Sequence, residues 1–166
     1  MLKPNAVKKR VTEITPQLLK DIGADALLLD VDNTLSTHHG TELLEGLPQW
    51  IDGMKAAGVP LLLLSNSKEK RVKPFAEKIG LPYISLGLKP LPNGFFKAAK
   101  RLKMKKRRLA LAGDQIFTDV LGAKLAGVKV ILLEPILPET KWSFKVRRLL
   151  EKGLRKKYKT CRKVLK

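Results

Sequence analysis

Apolar residues occur along this chain in short continuous runs, separated by stretches in which they recur at helical spacing. The apolar runs predict buried strands at residues 26–30, 59–64, 83–86, 109–112 and 128–133. The helical patterns lie near residues 47–57, 67–79, 92–103 and 118–126. This alternation predicts an α/β fold of the doubly wound kind, in which a parallel five-stranded sheet carries helices on both faces.

Glycines and a proline mark the limits of these helices. Gly58, Gly80 and Gly127 each end a helical pattern directly before a strand, as C-terminal helix caps do. Pro74 lies inside the second helical pattern, where it either kinks the helix or marks its true first turn.

The length of 166 residues allows one α/β domain with a sizeable core and is too short for two ordinary domains. We expect this domain to span residues 1–138, with a segment of different character at 139–166. We see no signal peptide and no apolar stretch long enough to cross a bilayer. The single cysteine, Cys161, excludes an internal disulfide and suits a reducing cytoplasm.

Two carboxylates follow the first predicted strand, at the end where open α/β sheets keep their chemistry. Asp30 and Asp32 are two positions apart, so their side chains are expected to point to the same side. Two like charges this close are costly without a cation between them, and a divalent metal would suit phosphoryl chemistry. An acidic turn without catalytic function is the alternative.

Three further polar segments follow later apolar runs. Ser65-Asn66-Ser67 either caps a helix or presents hydroxyl and N–H groups to an anion. Lys89 stands before Pro90, although surface lysines are plentiful in this chain. Asp114 and Asp119 follow the fourth strand, and Asp119 alone could be a first-turn helix acid.

Taken in order, D-x-D-x-T, a strand-end serine, a lysine and G-D-x-x-x-x-D resemble the four motifs of the haloacid dehalogenase superfamily. The resemblance runs from about Ala26 to about Pro135, and the second aspartate points to the phosphatase and ATPase members. The residues of the four motifs are similar to those of the capless IIIA branch, which includes YqeG-type proteins and phosphatidylglycerophosphate phosphatases. The matching segments are D-V-D-N-T-L, L-L-S-N-S, L-K-P and G-D-Q-x-x-T-D.

The resemblance implies a Mg²⁺-dependent phosphomonoester phosphatase that acts through an aspartyl-phosphate. Asp30 is then the nucleophile, and Asp32 the general acid and base. Ser65 and Asn66 hold phosphoryl oxygens, while Lys89 balances charge. The implied metal ligands are Asp30, Asp114 and the backbone carbonyl of Asp32, with Asp119 and Thr34 supporting the site from just outside.

The spacing of the motifs predicts an open site. Only 35 positions separate Asp30 from Ser65 and 24 separate Ser65 from Lys89, which leaves no room for a lid domain. An open pocket suits a phosphate carried on something large or on a surface. His38 and His39 lie in the flap beside the site and are interpreted as loop residues, because carboxylates already satisfy a hard cation.

The net charge of +19 is concentrated in two segments. Residues 97–108 hold eight basic residues and no acid, and residues 139–166 hold twelve against Glu139 and Glu151. The excess is either a solvated surface or a contact for a polyanion such as nucleic acid, the ribosome or an anionic membrane. The second segment also has apolar residues on one helical face, so it predicts either a membrane-interface helix or a terminal helix packed on the domain. That face consists of Trp142, Val146, Leu149, Leu150, Leu154, Tyr158 and Cys161.

From the resemblance and the charge together, we expect the substrate to be phosphatidylglycerophosphate and the product phosphatidylglycerol. The protein would then be cytoplasmic and peripheral at the inner face of the membrane. Other enzyme readings are a phosphatase of a phosphoprotein, a nucleic-acid end or a sugar phosphate. A reading from another class is an RNA- or ribosome-binding factor on a phosphatase fold, although only nine aromatic residues are available for base stacking. The sequence leaves the oligomeric state open.

Overall fold

The computed structural model describes residues 2–36 and 42–136, together with Gly153 and Lys156. Six strands form one parallel sheet in the order β1-β6-β5-β2-β3-β4. Their bounds are β1 Ala6–Lys8, β2 Ala26–Leu29, β3 Leu61–Leu64, β4 Tyr83–Ile84, β5 Leu109–Gly113 and β6 Lys129–Leu133. The α-helices are α1 Pro16–Asp21, α2 Leu47–Ala56, α3 Glu69–Ile79, α4 Asn93–Arg101 and α5 Leu121–Ala126. The α/β prediction is confirmed.

The sheet has one strand more than predicted. β1 pairs in parallel with β6 at the edge of the sheet, with Ala6 opposite Ile131 and Lys8 opposite Leu133. Its three residues are only half-buried and include a lysine, so they lack the apolar run that revealed the other strands. β4 is shorter than predicted because Leu86 adopts a left-handed backbone and donates its N–H to the Ser67 carbonyl instead.

Two apolar cores cover the two faces of the sheet. On one face, α1, α2 and α3 pack on Leu27, Leu29, Leu61 and Leu63. On the other, α4 and α5 pack on Leu28, Leu62, Leu64 and Leu111. Alternate residues of each strand enter opposite cores, which explains why β2 and β3 are unbroken apolar runs.

The helix ends agree with the glycine signals. Gly58, Gly80 and Gly127 all have a left-handed backbone at the points where helices end. Pro74 lies inside α3, five residues after its first residue, so it does not mark the first turn. Thr15 caps α1 by accepting the Leu18 N–H at 3.1 Å.

The connections between the strands that carry the motifs are short. In the described residues, α2 is the one helix between β2 and β3, and α3 is the one helix between β3 and β4. Residues 37–41, which include His38 and His39, lie outside the described residues, as does most of segment 139–166. No helix among the described residues has both the length and the apolar character that crossing a bilayer requires.

Candidate active site

Three strands end at a cluster of buried charges. Asp30 directly follows β2 and remains tied to the sheet, because its N–H donates to the Ala112 carbonyl of β5 at 2.9 Å. The Lys89 ammonium donates to Asp30 Oδ1 at 2.6 Å and to Asp119 Oδ1 at 2.7 Å. The side chain of Lys89 is only 2% exposed. One buried cation therefore bridges carboxylates from two separate strand ends.

Burial sets the electrostatics of this cluster. It raises the pKa of Asp30 well above its usual value; the Lys89 charge opposes this shift, while Asp119 and Asp114 add to it. Burial alone would lower the pKa of Lys89, but the charges of Asp119 and Asp30 outweigh it and the pKa is raised. Lys89 is therefore a fixed positive charge, and further positive charge nearby would favour the ionised form of Asp30.

A divalent metal ion would supply that charge, and the donor set fits one. Asp30, Asp114 and Asp119 are all buried, and each offers a carboxylate oxygen within 4.8 Å of the others. Hard cations such as Mg²⁺ prefer carboxylate oxygens as ligands. The resemblance implies that Asp119 lies just outside the metal site. In the structure its carboxylate oxygen lies within 4.8 Å of those of Asp30 and Asp114, so it belongs to the same donor set.

Asp119 is positioned by an unusual turn and a glycine. The segment Ile116–Val120 is a π-helical turn, with the Val120 N–H donating to the Gln115 carbonyl, where an α-helix was predicted from residue 118. The Gln115 N–H donates to Asp119 Oδ2 at 3.0 Å. A Cβ on Gly113 would lie 2.4 Å from that oxygen. Only glycine at position 113 leaves room for Asp119 in this place.

Asp32 is more exposed than the residues of the buried cluster and has its own partners. The Ser67 hydroxyl donates to Asp32 Oδ2 at 2.9 Å, and the Arg71 guanidinium forms an ion pair with Oδ1. Asp32 is 17% exposed at its side chain, whereas Asp119 is 1% exposed. Thus Asp30 pairs with Lys89, whereas Asp32 pairs with Arg71.

Asn66 positions the lysine through the backbone. Its side-chain amide donates to the Lys89 carbonyl at 2.9 Å and accepts the Lys89 N–H at 2.7 Å. Ser65 is buried, and its hydroxyl oxygen accepts the Ser67 N–H at 3.1 Å. The segment predicted to hold phosphoryl oxygens therefore also supports the lysine loop.

Thr34 is buried next to this edge of the sheet, and its hydroxyl has no hydrogen-bond partner among the described residues. The structure thus brings Asp30, Lys89, Asp114 and Asp119 together and holds Asp32 beside Ser67 and Arg71. Their catalytic roles remain predictions.

Sequence reasoning did not identify Arg71, and it did not predict the contact of Ser67 with Asp32 or of Gly113 with Asp119. Arg71 is one of 34 basic residues, so its type carried no signal. Its position in the first turn of a helix that begins at a strand end could have indicated it. Gly113 and Ser67 stood inside quoted motifs, but their contacts are tertiary.

Comparison with known proteins identifies the class that this fold and site define. A family model described as haloacid dehalogenase-like hydrolase matches residues 8–127. The chain belongs to this family, and it is therefore a hydrolase.

A particular relative is also similar over nearly the whole chain. "Probable phosphatase YqeG" of Bacillus subtilis (strain 168) is 32% identical over 158 residues, which cover 93% of this chain and 92% of that protein. The resemblance to this superfamily and to YqeG-type proteins is confirmed.

Solved structures show the same fold. A HAD family hydrolase from Deinococcus radiodurans R1, solved with bound phosphate and sodium, superposes with a TM-score of 0.60 at 19% identity and covers 78% of this chain and 89% of that one. A putative HAD superfamily (subfamily III A) hydrolase from Legionella pneumophila gives a TM-score of 0.54 at 19% identity, covering 68% of this chain and 67% of that one.

Proposed function

We propose that this protein is a metal-dependent phosphomonoester phosphatase that acts through an aspartyl-phosphate on Asp30. The coarser assignment, a phosphatase of the haloacid dehalogenase type, follows from the family match and the curated relative. The observation that carries the finer proposal is the contrast between two carboxylates, Asp30 buried against Lys89 and Asp32 more exposed against Ser67 and Arg71. Carboxylates in such different surroundings suit different chemical roles.

In this mechanism Asp30 attacks the phosphorus atom. A bond forms between a carboxylate oxygen and phosphorus, while the bond from phosphorus to the leaving oxygen breaks. Asp32 acts first in its protonated form and gives its proton to the leaving alkoxide. As the resulting carboxylate it then takes a proton from the water that attacks the aspartyl-phosphate, and the bond between the Asp30 oxygen and phosphorus breaks. Ser67 and Arg71 hold the carboxylate of Asp32 during both steps.

Charge neutralisation comes from the buried cluster. Lys89 contacts Asp30 directly, so its positive charge lies where the transferred phosphoryl group arrives. Asp30, Asp114 and Asp119 would hold Mg²⁺, which supplies further positive charge at the phosphoryl oxygens when bound. Ser65 and the N–H of Asn66 are proposed to bind the remaining phosphoryl oxygens.

For the substrate we propose phosphatidylglycerophosphate, with the protein peripheral at the inner face of the cytoplasmic membrane. In the described part of the chain, each connection between the motif-bearing strands β2, β3 and β4 holds one α-helix and no lid domain, which fits a phosphate presented at a surface. The +19 charge fits a negatively charged one. The same charge favours the rival reading, an RNA- or ribosome-binding factor.

The test compares Asp30→Asn with Asp52→Asn, the same substitution at an exposed position of α2. Phosphate release is measured on phosphatidylglycerophosphate in detergent, a phosphopeptide, a 5′-phosphorylated oligonucleotide and a sugar phosphate, with and without Mg²⁺. We expect wild type and Asp52→Asn to prefer the lipid and to need Mg²⁺, and Asp30→Asn to be folded but inactive. Hydroxylamine-sensitive labelling of the protein by substrate phosphate should also disappear in Asp30→Asn.

Each part of the proposal has its own contrary result. Turnover by folded Asp30→Asn at more than about a hundredth of the wild-type rate would contradict the assignment of Asp30 as the nucleophile. Full activity in excess chelator would contradict the proposed dependence on a metal ion. A preference for a soluble substrate would replace the lipid, and salt-dependent RNA binding without turnover by the wild type would favour the rival.

A further inference from the structure

The segment from Leu86 to Phe96, which contains Lys89 and the start of α4, exposes an unusual number of large apolar side chains. Among the described residues, five large hydrophobic side chains are strongly exposed, and four of them lie within residues 86–96. These four, which we call the apolar rim, are Leu86 at 51%, Leu88 at 53%, Leu91 at 54% and Phe96 at 44% exposed. Scattered single exposures are ordinary, but a cluster next to a candidate site indicates a contact surface.

The backbone holds the rim outward in a fixed way. Leu86 and Leu88 have φ angles of 47° and 54°, a left-handed conformation that leucine rarely adopts. Hydrogen bonds fix the loop, since the Gly87 N–H donates to the Ser65 carbonyl and the Leu91 N–H to the Leu88 carbonyl, both at 2.8 Å. Gly87 and Lys89 are buried between the exposed leucines. Leu88 is therefore the direct neighbour of the lysine that contacts Asp30, and Leu86 and Leu91 lie within three positions of it.

Basic residues border the rim on both sides. Exposed Lys68 and Lys70 lie where α3 begins, next to the Ser67 carbonyl that binds the Leu86 N–H. On the other side, Lys97 is exposed and the Lys106 ammonium lies 4.1 Å from the centre of the Phe96 ring. The nearby acid Glu69 is hydrogen-bonded to the Tyr83 hydroxyl. Apolar tips with a basic border match an anionic lipid surface, where side chains enter the headgroup region and lysines meet phosphates.

We propose that the apolar rim docks the protein on an anionic phospholipid surface, with the opening of the active site facing the lipid. This inference rests on the proposed function in taking the substrate to be a lipid, and it names the surface that would meet it. The basic run 97–108 does not form one patch at the rim: Lys97 and Lys106 border the rim, whereas Arg108 pairs with Asp25, which lies just before β2 at the opposite end of the strands.

The test uses the full chain and a pair of substitutions suited to the loop. Leu86→Asn combined with Leu88→Asn removes apolar surface, and asparagine accepts a left-handed backbone better than leucine does. Leu125→Asn in α5 is the matched control, since Leu125 is 62% exposed and lies outside the rim. Binding is measured by sedimentation with phosphatidylcholine vesicles that contain or lack phosphatidylglycerol, and turnover is measured on nitrophenyl phosphate.

We expect wild type to bind the anionic vesicles more tightly than the neutral ones. The double variant should bind the anionic vesicles at least tenfold more weakly, while Leu125→Asn stays within twofold of wild type. Nitrophenyl phosphate turnover should be unchanged in both variants. Undiminished vesicle binding by the double variant would overturn the proposal, as would an equal loss in Leu125→Asn. Loss of soluble turnover together with binding would make the leucines structural and overturn it too.

The vesicles contain no phosphomonoester, so docking is measured whether or not a lipid is the substrate. Rim-dependent docking without hydrolysis of any phosphatidylglycerophosphate would support the docking proposal and contradict the proposed lipid substrate. Hydrolysis of detergent-dispersed lipid together with docking that ignores the rim would do the reverse.

Discussion

Replacing Lys89 by methionine tests whether the buried cluster depends on its one lysine. Methionine nearly keeps the length of the side chain but removes its charge, leaving Asp30, Asp114 and Asp119 buried without that cation. Breaking a buried ion pair by removing one partner strongly destabilises a protein, because the remaining charge has lost its compensation.

The distances set the size of the effect. With N···O separations of 2.6 and 2.7 Å, each attraction is about 6 kcal/mol before desolvation, if the effective dielectric constant is roughly 20. The cost of burying the charges offsets much of this. We therefore expect a loss of about 3–5 kcal/mol in the free energy of unfolding. For a chain of this length the loss corresponds to a drop of roughly 10 °C in Tm.

The assay is urea unfolding of wild type, Lys89→Met and the exposed-site control Lys73→Met, each in chelator and in Mg²⁺. Lys73→Met should unfold like wild type. Mg²⁺ should stabilise Lys89→Met more than wild type, because the cation replaces part of the missing positive charge. A Lys89→Met protein within about 1 kcal/mol of wild type in chelator, with no larger response to Mg²⁺, would refute the electrostatic account of the site.

Three further predictions address other contacts. Arg71→Gln should reduce turnover about tenfold or more on alkyl phosphates and less on nitrophenyl phosphate, because Asp32 loses the group that holds it; equal losses on both substrates would contradict this role. Gly113→Ala should weaken Mg²⁺ binding in calorimetry and lower turnover by up to about a hundredfold, because the new Cβ displaces the Asp119 carboxylate; unchanged Mg²⁺ affinity would contradict it. Deleting residues 139–166 should weaken binding to anionic vesicles but spare turnover on nitrophenyl phosphate; loss of both would mean that the segment is part of the folded domain.

The central fold was predictable because its signals are local. β2, β3 and β5 are buried on both faces, so their sequences are unbroken apolar runs. Asp30 and Asp114 could be placed at the carboxyl ends of the strands because each directly follows such a run. The amino-terminal part was missed because β1 is short and half-buried, although Thr15 followed by Pro16 is a typical start of a helix.

The partners of the site residues could not be predicted in the same way. Lys89 is 59 positions from Asp30, and Arg71 is 39 positions from Asp32. Which basic side chain meets which carboxylate depends on helix phase and loop geometry. The π-helical turn at Ile116–Val120 shifts Asp119 relative to a regular helix, and nothing in its sequence distinguishes this turn from an α-helical one.

The segment between β3 and α3 contacts both the buried cluster around Lys89 and the more exposed Asp32. The Asn66 side chain forms two hydrogen bonds with the backbone of Lys89, whose ammonium contacts Asp30. The Ser67 hydroxyl donates to Asp32. The Ser67 carbonyl accepts the Leu86 N–H at the start of the apolar rim. Because all of these contacts originate from two consecutive residues, one short stretch of backbone links Lys89, Asp32 and the apolar rim. Among the described residues, these contacts assemble the charged groups without a lid domain, which is consistent with the proposal of a large or surface-bound phosphate.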